Sequence, residues 1–448
     1  MSGEPAPFGW LAIVRLGLVQ SALGAIVVLT TSTLNRVMVV ELLLPAMLPG
    51  ALVALHYAVQ LARPCFGHGS DVSGRRTPWI LGGMAVLALG GALAALATAL
   101  LASWAVPGTL LAVLAFLLIG GGVGSAGTSL LALLAARVDD RRRAAAATIV
   151  WMMMILGFAV TAATAGHLLE PFSLARLVLV TSLVSAVAFL VSVLALLGVE
   201  GPRGDRSSRR VAAQPSFKVA LAEVWADRKA RRFTIFVFLS MLAYSAQDLV
   251  LEPFAGLRFG LSPGETTRLS GIQHAGVLAG MVLVAVAGTL GGGRAAALRL
   301  WTIGGCLASA AALASLVVAG ALGPPFPLRG AVFALGLANG TFAIAAIGSM
   351  MALAGEGRAG GEGVRMGLWG AAQAIAFALG GFLGTVVADL GRWAIGSAVP
   401  AYALVFALEA GLFLLAALLA AGLGRHAGEA APPAPALLGV VGGGPGGR

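Results

Sequence analysis

Residues 79–101, WILGGMAVLALGGALAALATALL, carry no charged side chain over a length that matches the hydrocarbon core of a bilayer. A helix needs roughly 20 such residues to cross that core. Runs of this kind recur at 11–34, 45–62, 108–136, 144–166, 176–198, 233–251, 269–290, 300–321, 330–354, 366–390 and 399–423. The pattern predicts twelve transmembrane helices and an all-α integral membrane protein. Composition agrees: 59% of the 448 residues are hydrophobic and 10% charged, where a soluble domain carries about 25% charged residues. So few charges cannot cover a surface that faces water, but they suit one that faces lipid.

One long polar stretch interrupts the series, VEGPRGDRSSRRVAAQPSFKVALAEVWADRKARR at 199–232. It divides the chain into an N-terminal six-helix bundle (1–198), a basic linker (199–232) and a C-terminal six-helix bundle (233–424). A tail at 425–448, rich in Pro, Gly and Ala, is expected to be disordered.

The net charge of +11 raises the question of a nucleic-acid partner. Its placement argues for a membrane instead. Basic residues cluster in short segments between apolar runs, as cytoplasmic loops of membrane proteins do. With the N-terminus inside, every Lys and Arg except Arg36, Arg176, Arg258, Arg268, Arg329 and Arg392 falls on the cytoplasmic side. Both termini are therefore expected in the cytoplasm. The opening MSGEPAPFGW lacks a small-residue cleavage pattern, so the first helix is expected to be retained. Cys65 and Cys306 cannot build a disulfide framework or a zinc site.

Motifs for chemistry are sparse. A G-x-G-x-x-G match at Gly122, Gly124 and Gly127 follows no strand, which excludes the nucleotide reading. Small residues there serve close helix approach. There is no G-x-S-x-G, no P-loop, no H-E-x-x-H and no carboxylate pair placed for hydrolysis, so the sequence alone predicts no enzymatic role.

The segment between the second and third runs reads Gly67-x-x-Ser70-Asp71-x-x-Gly74-Arg75-Arg76. Glycines allow a sharp reversal, and an acid among arginines can form a charge-assisted latch. This resembles the loop signature of the major facilitator superfamily, at Gly67, Asp71, Gly74, Arg75 and Arg76. The resemblance implies two six-helix bundles related by a pseudo-two-fold axis. The second half lacks a matching acid in GTLGGGRAAALRLW. The fourth run lacks the arginine of proton-coupled members, and the fifth lacks an antiporter Gly-Pro pair. These departures argue against an ion-driven exporter.

A narrower resemblance covers nearly the whole chain. LTTSTLNRVMVVELLLPAMLPGALVALHYAVQLARPCFGHGSDVSGRRTPWI (29–80) and SAQDLVLEPFAGLRFGLSPGETTRLSGIQHAG (245–276) resemble the PucC/LhaA family, the first stretch more closely LhaA. That resemblance implies an assembly factor for bacterial light-harvesting complexes, with the LH1 core antenna as client. It implies bacteriochlorophyll as cargo in a bacterial inner (intracytoplasmic) membrane. Partners would be antenna alpha and beta polypeptides, the reaction centre core complex, the pigment synthase and membrane lipid, with no nucleic acid. Two rival readings stand beside it: a transporter of a small amphipathic solute, and a scaffold for antenna polypeptides that carries no pigment.

Ionisable groups at membrane depth are costly and become functional candidates. His56 and His274 occupy corresponding helices of the two halves. Either is a candidate axial ligand to a bacteriochlorin magnesium, or a histidine hydrogen-bonded between helices. Gln60 stands one turn after His56, where it can orient that ring or replace it as ligand. Asn35, Arg36 and Glu41 end the first run, and Gln247, Asp248 and Glu252 end the seventh. They are candidates for a polar rim that closes a cavity between the halves, or for helix ends that meet lipid headgroups.

Overall fold

The computed structural model describes residues 8–73, 75–200, 225–290, 295–355 and 362–423. The predicted tail at 425–448 and most of the predicted linker lie outside these residues. Every element among them is a helix, and we number the helices in chain order. The N-terminal half holds α1 (Trp10–Glu41), α2 (Met47–Val59, Gln60–Ala62 and Arg63–Val72), α3 (Thr77–Leu101), α4 (Ala105–Arg137), α5 (Asp140–Leu168) and α6 (Leu174–Leu196). The C-terminal half holds α7 (Arg228–Phe259), α8 (Pro263–Leu290), α9 (Ala295–Leu322), α10 (Leu328–Gly355), α11 (Glu362–Ile395) and α12 (Ala398–Leu423).

Eleven of these helices are long and apolar enough to cross a membrane; the apolar part of α2, Met47–Ala62, is shorter. Pro64 explains its ending. Proline has no N–H for the Gln60 carbonyl, so the turn before it tightens to a 3-10 helix and the chain resumes as α-helix at Arg63. The helices alternate in direction, which places the start of α1 and the end of α12 on one face. We call this the basic face and the other the opposite face. Trp10 and Trp225 are exposed at the basic face, Trp104 and Trp393 at the opposite one, where amphipathic rings suit the headgroup level.

Lipid gives no hydrophobic force between helices, so small residues let the backbones approach and dispersion does the work. Gly276 and Gly280 on α8 lie against the backbone of α10 around Phe333 and Leu337. Gly336 and Gly340 return the contact onto Gln273 and Val277. Each half has its own apolar core, one around Phe116 and Leu130, the other around Phe254 and Phe406. A smaller cluster of Ile155, Val277, Met281 and Ile344 joins α5 to α8 and α10.

Both halves close their sixth helix alike. Arg15 donates to the carbonyls of Ala195 (2.9 Å) and Leu197 at the end of α6, and Arg299 donates to Ala421 at the end of α12. A guanidinium there satisfies carbonyls left without partners and opposes the helix dipole.

The first helix departs from expectation. It does not end near residue 34 but continues to Glu41 through two π turns, Leu29–Thr33 and Val37–Glu41. Asn35 and Arg36 can stay inside because α7 and the segment after it supply their partners.

Candidate functional site

The halves meet through a polar seam on the side of the opposite face. The π turns of α1 bring Ser32, Thr33, Asn35 and Arg36 to bear on the C-terminal half. Ser32 Oγ donates to the Glu252 carboxylate, and Asn35 Nδ2 donates to the Leu249 carbonyl at 2.6 Å. The Thr33 and Thr267 hydroxyls pair at 3.0 Å. Arg36, only 2% exposed, binds the Glu41 carboxylate and donates to the Leu261 carbonyl at 2.7 Å. Other crossings lie at the same level. Asp389 on α11 accepts the N–H groups of Ala46 and Met47, Ser262 donates to Glu170, and Arg268 meets His167 Nδ1 at 3.2 Å. Among the described residues, every hydrogen bond between the halves belongs to this seam.

Deeper, aromatic rings replace polar pairs. Tyr57 on α2 packs on Phe377 of α11 with centroids 5.3 Å apart, and Tyr244 on α7 meets the same ring at 5.9 Å. A helix rises 1.5 Å per residue, which puts Tyr57 about 15 Å along α2 from Met47, near mid-membrane. Tyr57, Tyr244, Phe377 and Asp248 are each partly exposed. Among the described residues Asp248 makes no hydrogen bond or ion pair. Its neighbour Gln247 turns inward, accepting from Asn339 at 3.1 Å while Ser309 donates to the Asn339 Oδ1 at 2.8 Å. Glu409 on α12 is 2% exposed, and neither carboxyl oxygen has a hydrogen-bond partner. The six residues proposed as a rim therefore separate: Asn35, Arg36, Glu41 and Glu252 share the seam, Gln247 joins the C-terminal interior, and Asp248 faces the aromatic layer.

The two histidines differ in the nitrogen they offer. Gln60 Oε1 accepts from Arg63, so its amide nitrogen, 2.9 Å from His56 Nε2, is the donor. That consumes the Nε2 lone pair and puts the ring proton on Nδ1, which is buried without a partner. His274 is arranged the other way. Its Nδ1 lies 2.8 Å from the Ser270 carbonyl and must donate to it, which leaves the lone pair on Nε2. Phe158 of α5 stands edge-on to this ring, centroids 4.9 Å apart. His56 packs beside Tyr57 and α4 instead. The structure thus holds the two rings in separate surroundings, on the α2 and the α5–α8 sides.

Of the expected loop, Gly67 instead lies within α2, against Thr128 of α4, because the helix runs on to Val72. The Asp71 side chain and Gly74 fall outside the described residues. Arg75 is exposed. The backbone N–H groups of Arg76 and Thr77 donate to Glu200 at 2.7 and 2.8 Å. Burial opposes the charge on Glu200, but these two amides, together with the Thr77 hydroxyl and the Arg75 charge, outweigh it and hold the carboxyl below the usual glutamate value. Glu200 comes from the end of α6, in the same half. Sequence reasoning missed it because nothing in the chain links position 200 to a loop 123 residues away. The aromatic trio was missed for the same reason, since three isolated rings in apolar runs look like core.

Twelve helices in two bundles with a seam between them define a major facilitator fold. The nucleoside transporter NupG superposes with a TM-score of 0.69 at 13% identity, over 92% of this chain and all of that one. The chain belongs to the PUCC protein family, which matches residues 33–427. The Bacteriochlorophyll synthase 44.5 kDa chain of Rhodobacter capsulatus is 54% identical over 428 residues, 95% of this chain and 98% of that one. Protein PucC of the same organism is 29% identical over 449 residues, 96% and 95% of the two chains. The first name corrects the expectation of no enzymatic role: a relative this similar is named as a chain of an enzyme. Motif searches cannot detect a chain's place in an enzyme assembly when its own residues form no familiar catalytic pattern.

Proposed function

We propose that this membrane protein holds bacteriochlorophyll between its halves and passes it to light-harvesting antenna polypeptides, working as a chain of the assembly that makes the pigment. The family and the name of the 54% identical relative support the pigment. The observation that carries the reading is His274, a buried neutral imidazole whose Nδ1 is committed to a backbone carbonyl and whose Nε2 keeps its lone pair. A metal-bound histidine shows this arrangement, its second nitrogen fixed by a carbonyl. His56 would first have to release Gln60. The pigment is too apolar to cross water, so a carrier at membrane depth can hand it sideways to a single-helix client. We place the protein in the bacterial inner (intracytoplasmic) membrane with the basic face in the cytoplasm, and take the LH1 core antenna as client. The stretch from Gly67 to Arg76, the end of α2 and the turn after it, is then the cytoplasmic hinge of the first bundle.

Protein purified in mild detergent from a pigmented strain carries a bacteriochlorophyll absorbance band, and a strain without the gene loses its antenna complexes. Colourless protein together with normal antenna levels would end this reading. Asp248 favours one alternative, because an unpaired, partly exposed carboxylate facing the aromatic layer suits a small amphipathic solute. Flux into liposomes, with no pigment retained, would choose it.

A further inference from the structure

Asp248 is an acid at membrane depth that no group in the seam answers. Its direction follows from the helix that carries it. Residues four apart on a helix share a face, so Tyr244, Asp248 and Glu252 form one stripe along α7. At one end of the stripe, Glu252 takes the Ser32 hydroxyl of α1. At the other, Tyr244 meets Phe377 of α11, and that ring also carries Tyr57 of α2. Asp248 therefore faces the N-terminal half, about 6 Å along the axis from each of these crossings. Its neighbours in the chain are engaged elsewhere. Ser245 donates to the Ala376 carbonyl of α11 at 3.3 Å, Gln247 accepts from Asn339 of α10, and Leu249 lies against Gly381 of α11.

Among the described residues the Tyr57 and Tyr244 hydroxyls, like the Asp248 carboxylate, have no hydrogen-bond partner, and none of these oxygens is sealed off by its surroundings. A carboxylate and two hydroxyls thus stand beside three aromatic rings, one turn inside the seam. An acid at this depth is costly unless a cation meets it, and aromatic faces attract the same charge. A metal ion is a poor fit, because calcium and magnesium take six or more oxygens. No group of three His, Cys, Asp or Glu side chains stands together among the described residues. Arg63 of α2 lies about 9 Å further along that helix than Tyr57, and its guanidinium donates to Gln60. We propose that this layer binds a lipid-soluble organic amine as its ammonium ion. Asp248 accepts hydrogen bonds from the ammonium, and the rings of Tyr57, Tyr244 and Phe377 hold the apolar body. The site is independent of the pigment reading: His274 belongs to the α5–α8 side, whereas this layer joins α2, α7 and α11.

The test titrates the purified full-length protein in detergent with 1-naphthylmethylamine and with 1-naphthylmethanol, the same ring bearing a neutral hydroxyl. Naphthalene fluorescence follows binding, and the signal from empty micelles is subtracted. The amine binds about tenfold more tightly, the contribution of one charge-assisted hydrogen bond. Asp248→Asn, which keeps the size of the side chain, brings the two probes to within about twofold of each other. Phe377→Leu weakens amine binding about fivefold, the scale of a desolvated cation–π contact, and tests the same layer if Asp248→Asn fails to fold. Equal binding of amine and alcohol by the unmodified protein overturns the proposal. So does a preference that survives Asp248→Asn, which assigns the charge to another acid such as Glu252 or Glu409. Displacement of the amine by magnesium chloride assigns the site to an inorganic cation and also overturns it. None of these outcomes alters the pigment absorbance band, so the two readings fail separately.

Discussion

The carboxylate of Asp389 on α11 accepts the backbone N–H of Met47 at 2.7 Å, and that of Ala46 at 3.1 Å. The C-terminal half thereby caps the first turn of a helix that belongs to the N-terminal half. Capping and closure of the opposite face are one interaction. Asp389→Ala should lower stability by about 0.5–2 kcal/mol, the usual cost of a lost cap. Asp389→Asn, which keeps an acceptor oxygen, should recover part of it. Thermal unfolding of the detergent-solubilised protein measures both, with faster amide exchange at 46–50 as the local sign. An unchanged exchange rate in the alanine variant would refute the coupling.

Glu200 makes the basic face sensitive to acid. Its folded-state value lies below the ordinary glutamate value of about 4.3 because the Arg76 and Thr77 amides stabilise the anion against the cost of burial. A depressed value means the contribution is fully present above the ordinary value and fades as pH falls through the lower folded one. Protection of the Arg76 and Thr77 amides, relative to their intrinsic exchange rates, should therefore fall only as pH drops below about 4.3. Glu200→Gln should remove that acid step and leave exchange already faster at neutral pH.

The proposed pigment site should depend on one histidine of the two. His274→Ala should lower pigment affinity by at least about tenfold, the scale seen when support of a metal ligand is lost. Added imidazole should restore part of the binding by occupying the vacated space. His56→Ala should keep the five-coordinate magnesium signature in resonance Raman spectra, since its Nε2 already serves Gln60. The opposite pattern would move the site to α2.

Glycine is needed where α8 crosses α10 and dispensable at Gly304. A methyl group at Gly340 would press into the Val277 carbonyl, whereas one at Gly304 meets nothing within 4 Å. Gly340→Val should destabilise the protein by about 1–3 kcal/mol, as overpacking does. Gly304→Ala should be neutral or slightly stabilising. Thermal midpoints of the two variants decide, and equal midpoints would show that the crossing relaxes freely.

Much of the fold was legible in the chain. Runs such as 79–101 and 399–423 announce their helices because hydrocarbon forces each span to satisfy its own backbone. The reach of α1 was not legible. Asn35, Arg36 and Glu41 look like a helix leaving the membrane until Leu249 and Leu261, more than two hundred residues away, provide their partners. Gln247 and Asp248 looked like one polar group because they are adjacent. On a helix, adjacent side chains point about 100° apart, and these two end in different surroundings.

The sequence by itself determined how many helices the chain makes, the loop signature between α2 and α3, and the family. Those features are local: a hydrophobic span and a short motif carry their meaning within a few dozen residues. Tertiary structure alone decided that Ser32 meets Glu252, that Glu200 closes on the α3 turn, and which nitrogen of each histidine stays free. Helices in lipid associate through close fit and scattered polar contacts, not through a hydrophobic pattern that hydropathy can display. Partners chosen that way appear only when the helices are set side by side.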